Sequence, residues 1–72
     1  DGMTLDKNGN LYLTTVSNNQ VEVFSPKGKR ITSIKVPEKP SNVCFGGVNK
    51  SKLFITARSS IYRIQTNTKG VD

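Results

Sequence analysis

The sequence predicts an all-β protein in which an antiparallel meander forms about two blades of a β-propeller. Short β-rich runs occur along the whole chain of 72 residues, and clusters of turn-forming residues separate them. The pattern repeats after 40 to 42 residues, which is close to the length of a propeller blade with its four short strands. No stretch has the i, i+3, i+4, i+7 apolar spacing of an amphipathic helix over three turns.

Seven runs are predicted to be strands, because each is rich in β-branched, aromatic or aliphatic residues and is bounded by turn residues. In chain order they are residues 3–5, 11–16, 20–24, 31–36, 42–45, 52–57 and 60–64. Residues 11–16 are apolar on both faces, as expected for a blade with neighbours on each side. Residues 31–36 are more polar, which is typical of an exposed outer strand.

The turns between these strands have clear sequence signals. Residues 6–10 (DKNGN) and 25–29 (SPKGK) combine Asp, Asn, Pro and Gly in the way that tight turns require. Residues 37–41 contain Pro37 and Pro40, and we expect no central strand there because proline lacks the backbone N–H of a strand ladder.

An internal repeat divides the chain into two units. The matching segments are 3–5 (MTL) with 43–45 (VCF), 11–14 (LYLT) with 53–56 (LFIT), and 21–24 (VEVF) with 61–64 (IYRI). We therefore predict a first blade of four strands over residues 1–36 and a second, incomplete blade of three strands plus a tail over residues 37–72. The outer strand that the second blade lacks would have to come from elsewhere.

The composition limits what this chain does alone. A chain of this length buries only ~60% of its unfolded surface. With Cys44 as its one cysteine and no histidine, it has neither an internal disulfide nor a histidine-based site. We expect Cys44 to be buried as a small hydrophobe. The chain opens with Asp1 rather than methionine, so we expect a fragment; the lone cysteine and the lack of a visible signal peptide favour the cytoplasm.

The net charge of +6 raises the question of anionic partners. Of the 11 basic residues, five lie in two separate turns, and no aromatic platform is interleaved with them, as single-strand binders need. They are Lys27, Lys29, Arg30, Lys50 and Lys52. No apolar run approaches the ~20 residues of a membrane helix. We therefore expect neither nucleic acid nor membrane as a partner.

Two segments carry a resemblance to a known family. Residues 1–12 (DGMTLDKNGNLY) resemble the DGM-x-x-D-x-x-G-N-L-(W/Y) opening of a blade in gluconolactonases, and residues 41–47 (SNVCFGG) with 53–57 (LFITA) resemble the following blade. The chain thus resembles a two-blade, C-terminal-type fragment of the gluconolactonase, senescence marker protein-30 and luciferin-regenerating enzyme-like family. The resemblance extends over residues 1–64.

The resemblance implies a six-bladed β-propeller with one divalent metal, calcium or zinc, at the top of its central channel. It also implies hydrolysis of sugar lactones and related esters, with a glutamate, an asparagine and an aspartate from different blades holding the metal. The aspartate of the DGM motif corresponds to Asp1, which is therefore the candidate metal ligand and catalytic residue, while Gly2 would let the backbone turn tightly beside it.

The chemistry of the implied site explains the choice of an aspartate. A hard cation prefers carboxylate oxygens, and once bound it polarises a lactone oxygen and lowers the pKa of a bound water. The other two ligands would belong to blades that precede Asp1. We therefore expect the 72 residues to be inactive as a lactonase on their own.

Other functions remain open from the sequence. The main alternative is a non-catalytic propeller module for binding or assembly, which closes a ring as a homo-oligomer because three copies of two blades give six. The apolar faces of such a module would include Tyr12, Phe45, Phe54 and Tyr62. A nucleic-acid binder driven by charge is a further alternative.

The Asp-x-Asn-Gly-Asn segment also has a second interpretation. Asp6, Asn8 and Asn10 superficially resemble a calcium loop, but they lack the spacing and the terminal glutamate of an EF-hand. We predict a hairpin turn at this position.

Overall fold

The computed structural model describes residues 2–15 and 18–70 of the chain and contains two antiparallel sheets. Sheet 1 has four strands in the order β1-β2-β3-β4, and sheet 2 has three in the order β5-β6-β7. Their bounds are β1 (Met3–Leu5), β2 (Leu11–Thr14), β3 (Gln20–Phe24), β4 (Arg30–Lys35), β5 (Pro40–Gly46), β6 (Lys52–Ala57) and β7 (Ile61–Gln65). This arrangement confirms the predicted all-β meander. No helix among the described residues is long and apolar enough to cross a membrane.

The turns lie where their residues predicted them. Gly9, between β1 and β2, has a φ of 84°, and Gly28, between β3 and β4, has a φ of 86°. Residues with a Cβ rarely adopt this left-handed conformation. Glycine at these two positions therefore fixes where each hairpin reverses.

The ends of four strands differ from the prediction. Strands β4 (Arg30–Lys35) and β7 (Ile61–Gln65) are each shifted by one residue from the predicted 31–36 and 60–64. Strand β5 begins at Pro40 instead of residue 42, with an irregular register between Pro40 and Asn42. Proline is tolerated there because it is the first residue of an edge strand. Strand β2 ends at Thr14, and Val16, predicted to be in this strand, lies outside the described residues.

The hydrophobic core lies between the two sheets. It consists of apolar side chains that are each at most 7% exposed, namely Tyr12, Val21, Val23, Val36, Val43, Leu53 and Ile55. Alternation along each strand directs these side chains to the face that meets the other sheet. Full burial of one aliphatic side chain of this size contributes ~1.5–3 kcal/mol. The facing surfaces therefore hold the two sheets together.

Three of the four aromatic residues expected on exposed faces lie on the inner faces instead. The ring of Tyr12 is 7% exposed and meets the ring of Phe45 edge-on, with centroids 5.0 Å apart. Phe45 and Tyr62 are partly buried and pack against the core. The expectation was wrong for these three because the contact between the sheets covers them. Phe54 is on the opposite face of β6 from the buried Leu53 and Ile55.

Cys44 is exposed, which corrects the prediction that it is a buried small hydrophobe. Its neighbours Val43 and Phe45 face sheet 1, and Val43 is 3% exposed. Because successive side chains of a strand point to opposite faces, Cys44 points away from the core. The apolar run around Cys44 did not reveal which of its residues faces inward.

The last described residues return to the first hairpin. Lys7 N donates a hydrogen bond to the Lys69 carbonyl oxygen over 2.7 Å, and Asp6 and Gly70 form an isolated antiparallel bridge. Gly70 lies so close to Phe45 that a Cβ built on it would be 2.4 Å from the Phe45 Cβ. The tail therefore connects sheet 2 to the turn that follows β1.

Candidate functional site

The backbone next to Asp1 is fixed on the end of β2. Asp1 itself lies outside the described residues, so Gly2 is the adjacent residue whose position is known. Gly2 N donates to Thr14 Oγ1 over 2.8 Å. Thr14 in turn donates to the Gly2 carbonyl oxygen through its N (2.9 Å) and its Oγ1 (3.2 Å). Because Thr14 is 2% exposed, solvent does not compete effectively for these bonds, and the peptide unit of Gly2 is well held.

Gly2 also contacts the first part of β5. A Cβ built on Gly2 would lie 2.0 Å from Asn42 Oδ1 and 2.6 Å from Asn42 Cα. The Asn42 amide cannot easily turn away, because its Oδ1 accepts a hydrogen bond of 2.8 Å from Val43 N. Glycine is therefore required here by the close approach of two strands. The expected tight turn beside a metal remains a prediction.

The described residues do not form a metal site by themselves. Within residues 2–15 and 18–70, no group of three or more His, Cys, Asp or Glu side chains is placed to hold an ion. The carboxylates of Asp6 and Glu38 accept hydrogen bonds from tyrosine hydroxyls. A metal at this end of the sheets would therefore need ligands from beyond these residues.

Asp6 is the most completely bonded carboxylate of the described chain, and this was missed in the sequence. Its side chain is 1% exposed. Oδ1 accepts bonds from Asn8 N (2.9 Å) and Asn10 N (3.0 Å). Oδ2 accepts bonds from Asn10 Nδ2 (3.0 Å) and Tyr12 Oη (3.2 Å). The segment is a hairpin turn, as predicted. Its closure by the Asp6 carboxylate was not predicted, and the tyrosine six residues after Asp6 was the available signal for it.

The protonation states of Asp6 and Tyr12 follow from this contact. Burial raises the pKa of the Asp6 carboxyl, but the hydrogen bonds from Asn10, Asn8 and Tyr12 outweigh it, so the pKa is lowered from 3.8. Burial, the negative charge of Asp6 and the shared hydrogen bond raise the pKa of Tyr12 to about 12. Asp6 is therefore ionised and Tyr12 protonated at neutral pH, which suits a structural role.

A second carboxylate–tyrosine contact links the segment before β5 to β7. Tyr62 Oη donates a hydrogen bond of 2.7 Å to Glu38 Oε2. This bond is the main cause of the lowered pKa of Glu38 and of the raised pKa of Tyr62. Glu38 is thereby committed to holding the start of sheet 2 against its last strand.

Comparison with known proteins identifies the family. Residues 1–59 match the model of the SMP-30/Gluconolactonase/LRE-like region. The chain belongs to this family. Its resemblance to gluconolactonases, first recognised in the DGM segment, is thereby confirmed.

Similarity to individual relatives supports the same assignment to the SMP-30/Gluconolactonase/LRE-like family. The gluconolactonase of Zymomonas mobilis is 38% identical over 72 residues, covering 97% of this chain and 19% of that protein. The regucalcin of Gallus gallus is 36% identical over 61 residues, covering 82% of this chain and 20% of that protein. The chain thus spans about a fifth of the length of these relatives.

A solved structure matches the whole chain. It is an X-ray structure of a protein described as a gluconolactonase, with a TM-score of 0.92 and 29% sequence identity, covering 100% of this chain and 24% of that protein. The two sheets and their relative arrangement therefore correspond to a part of a family member. This agreement confirms the fold class, with the two sheets as blades of the family's propeller.

Proposed function

We propose that this chain forms part of a metal-dependent lactonase of the gluconolactonase type, with Asp1 as metal ligand and catalytic carboxylate. The observation that supports this most is the contact between Gly2, Thr14 and Asn42, which holds the residue after Asp1 where β1 and β5 begin. In this proposal residues 1–36 are one blade and residues 37–72 a second, incomplete one. The substrate is a sugar lactone or a related ester, and the metal is calcium or zinc.

The proposal requires the rest of a propeller. One carboxylate binds a divalent ion weakly, because such an ion normally needs several ligands. Calcium takes six or more oxygen ligands, and zinc takes four ligands. The described residues add no acidic cluster. We therefore expect the 72-residue chain to lack lactonase activity on its own.

A chimera tests the proposal directly. The matching fifth of the Zymomonas mobilis gluconolactonase is replaced by these 72 residues, and hydrolysis of glucono-δ-lactone is measured with and without calcium or zinc. We expect metal-dependent turnover by the chimera. Asp1→Asn should reduce it by at least ~100-fold, since it removes a carboxylate that binds the metal and carries the proton transfer.

The control is a second carboxylate-to-amide change, Glu38→Gln. Glu38 accepts a hydrogen bond from the Tyr62 hydroxyl and is not one of the residues around Asp1. We therefore expect the chimera with Glu38→Gln to retain its turnover. A chimera with the circular dichroism of the parent enzyme but no activity would contradict the proposal. Equal turnover of the Asp1→Asn chimera and its parent would contradict the role of Asp1.

A further inference from the structure

The first strands of the two sheets are preceded by residues that correspond in the internal repeat. The repeat matches residues 3–5 with residues 43–45, so two residues earlier it matches Asp1 with Ser41. Ser41 therefore has the place in the second repeat unit that Asp1, the residue proposed for the lactonase site, has in the first.

The hydrogen bonds follow the same repeat. Thr14 Oγ1, in β2, donates to the Gly2 carbonyl oxygen over 3.2 Å. Thr56 Oγ1, in β6, donates to the Asn42 carbonyl oxygen over 3.5 Å. In each sheet a threonine of the second strand thus bonds to the residue that follows the matched position. The correspondence between the two units is therefore structural as well as sequential.

The two matched positions also begin from adjacent backbone. A Cβ built on Gly2 would be 2.6 Å from the Asn42 Cα, so the chain that enters β1 meets β5 at this point. Asp1 and Ser41 each precede one of these two residues, and consecutive Cα atoms are only ~3.8 Å apart. One ligand of the size of a sugar lactone can therefore reach both Asp1 and Ser41.

Ser41 is the extra residue of an irregular step in β5. Along β6 the register passes from Ala57 to Thr56, whereas along β5 it passes from Pro40 to Asn42. Ser41 thus has no residue opposite it, which is the arrangement of a β-bulge. Bulges redirect a side chain and are common beside active sites. The local geometry therefore sets Ser41 apart from the regular ladder.

The Ser41 hydroxyl is held by Thr56. Ser41 Oγ donates to the Thr56 carbonyl oxygen over 3.3 Å and lies 3.2 Å from Thr56 Oγ1. A hydroxyl group has one donor and two acceptor lone pairs. Because its proton goes to the carbonyl oxygen and Thr56 Oγ1 takes at most one lone pair, Ser41 Oγ keeps a lone pair for a ligand that donates. The hydroxyl groups of a sugar lactone are such donors.

We propose that Ser41 is a specificity-determining residue of the lactonase site, where its Oγ accepts a hydrogen bond from a hydroxyl group of the sugar lactone. This inference rests on the proposed lactonase function and adds the group that selects a hydroxylated substrate. An uncharged hydroxyl suits this task, since small-molecule sites use a few such polar groups to fix the orientation of the ligand. Asp1 belongs to the reacting end of the substrate, and Ser41 to its hydroxyl groups.

The experiment uses the chimera of these 72 residues with the Zymomonas mobilis gluconolactonase. We expect Ser41→Ala to raise the KM for glucono-δ-lactone ~3- to 10-fold at unchanged kcat, because it removes one neutral hydrogen bond to the substrate. Ser41→Thr keeps the hydroxyl and should retain the parent KM. Ser33→Ala is the matched control, because it removes the same atom from β4, the strand farthest from β1 in sheet 1, and should leave KM and kcat unchanged.

Metal dependence separates the role of Ser41 from that of Asp1. The calcium or zinc concentration that gives half-maximal turnover should be the same in the Ser41→Ala chimera as in its parent. A Ser41→Ala chimera with the parent KM, a lowered kcat or an altered metal dependence would overturn the inference and leave the proposed lactonase function standing. So would a Ser41→Thr chimera as impaired as Ser41→Ala. A folded parent chimera without metal-dependent turnover would overturn both.

Discussion

The carboxylate of Asp6 is predicted to stabilise the first hairpin through its charge as well as its hydrogen bonds. Replacing it with asparagine keeps the shape of the side chain and one oxygen for the N–H groups of Asn8 and Asn10. The new NH₂ group replaces the oxygen that accepts hydrogen bonds from Asn10 Nδ2 and Tyr12 Oη. It is a donor, so it cannot accept from Asn10 Nδ2. Asp6→Asn therefore breaks at least one charged hydrogen bond inside a site that is 1% exposed.

The magnitude follows from the number of bonds. Hydrogen bonds to a charged group contribute ~1.5–3 kcal/mol each, and bonds within one network are not additive. We expect Asp6→Asn to lower the free energy of unfolding by ~2 kcal/mol and Asp6→Ala by ~4 kcal/mol. A domain of this size has a total stability of only ~4–11 kcal/mol. The asparagine variant is therefore the one to measure, since the alanine variant approaches the limit of folding.

The assay is urea denaturation at pH 7 and at lower pH, at one fixed protein concentration. The pKa of Asp6 is lowered from 3.8 in the folded state. The stabilisation from the ionised Asp6 carboxylate is therefore complete above the pKa that Asp6 has in the unfolded chain. It is lost as pH falls through the pKa that Asp6 has in the folded chain. The difference between wild type and Asp6→Asn should thus shrink as pH falls below 3.8. Equal stability at pH 7, or a difference that does not change with pH, would refute this reasoning.

Three further changes are predicted to have distinct effects. The pKa of Tyr12 is about 12 in the folded chain and 10.0 ordinarily. The free energy of unfolding should therefore fall as pH rises through this range. Urea denaturation of the Tyr12→Phe variant should not show this fall. Gly70→Ala should detach the tail from Phe45, because the new Cβ would lie 2.4 Å from the Phe45 Cβ. Faster hydrogen exchange at Lys7 N would show this detachment, and unchanged exchange would contradict it. Gly2→Ala should disrupt the start of β1, which nuclear magnetic resonance would detect as lost protection at Thr14 N, the donor to the Gly2 carbonyl oxygen. Retained protection would contradict the close-approach argument.

The strands and turns of this chain were predictable from its sequence because their signals are local. Gly9 and Gly28 have the positive φ that their turns require, and the runs between turns are short and rich in β-forming residues. One exception among the strand ends is Pro40, where the edge position of β5 decides whether proline can begin a strand. The sequence around Pro40 does not reveal that position.

The direction of individual side chains was less predictable. Cys44 and Tyr12 both lie in apolar strands, yet Cys44 is exposed and Tyr12 is 7% exposed. The difference depends on which face of each sheet meets the other, and this is a property of tertiary packing. A run that is apolar on both faces contains no alternation from which to infer it.

The candidate site was predictable only through the family resemblance. Asp1 was chosen from the DGM motif, and no spacing within the 72 residues would have selected it otherwise. The contact between Gly2 and Asn42 joins two strands 40 residues apart in sequence. Such a contact depends on how the two sheets pack, so it could be found only in the folded chain.

The most direct test of the central claim, that this chain carries one part of a lactonase site, is hydrolysis of glucono-δ-lactone by the isolated 72-residue chain. The assay uses calcium or zinc in excess and compares the wild-type chain with Asp1→Asn. We expect no turnover above the spontaneous rate in either, because the described residues add no acidic cluster to hold a metal. Metal-dependent turnover by the wild-type chain that Asp1→Asn abolishes would contradict the account, since the 72 residues would then contain a complete site.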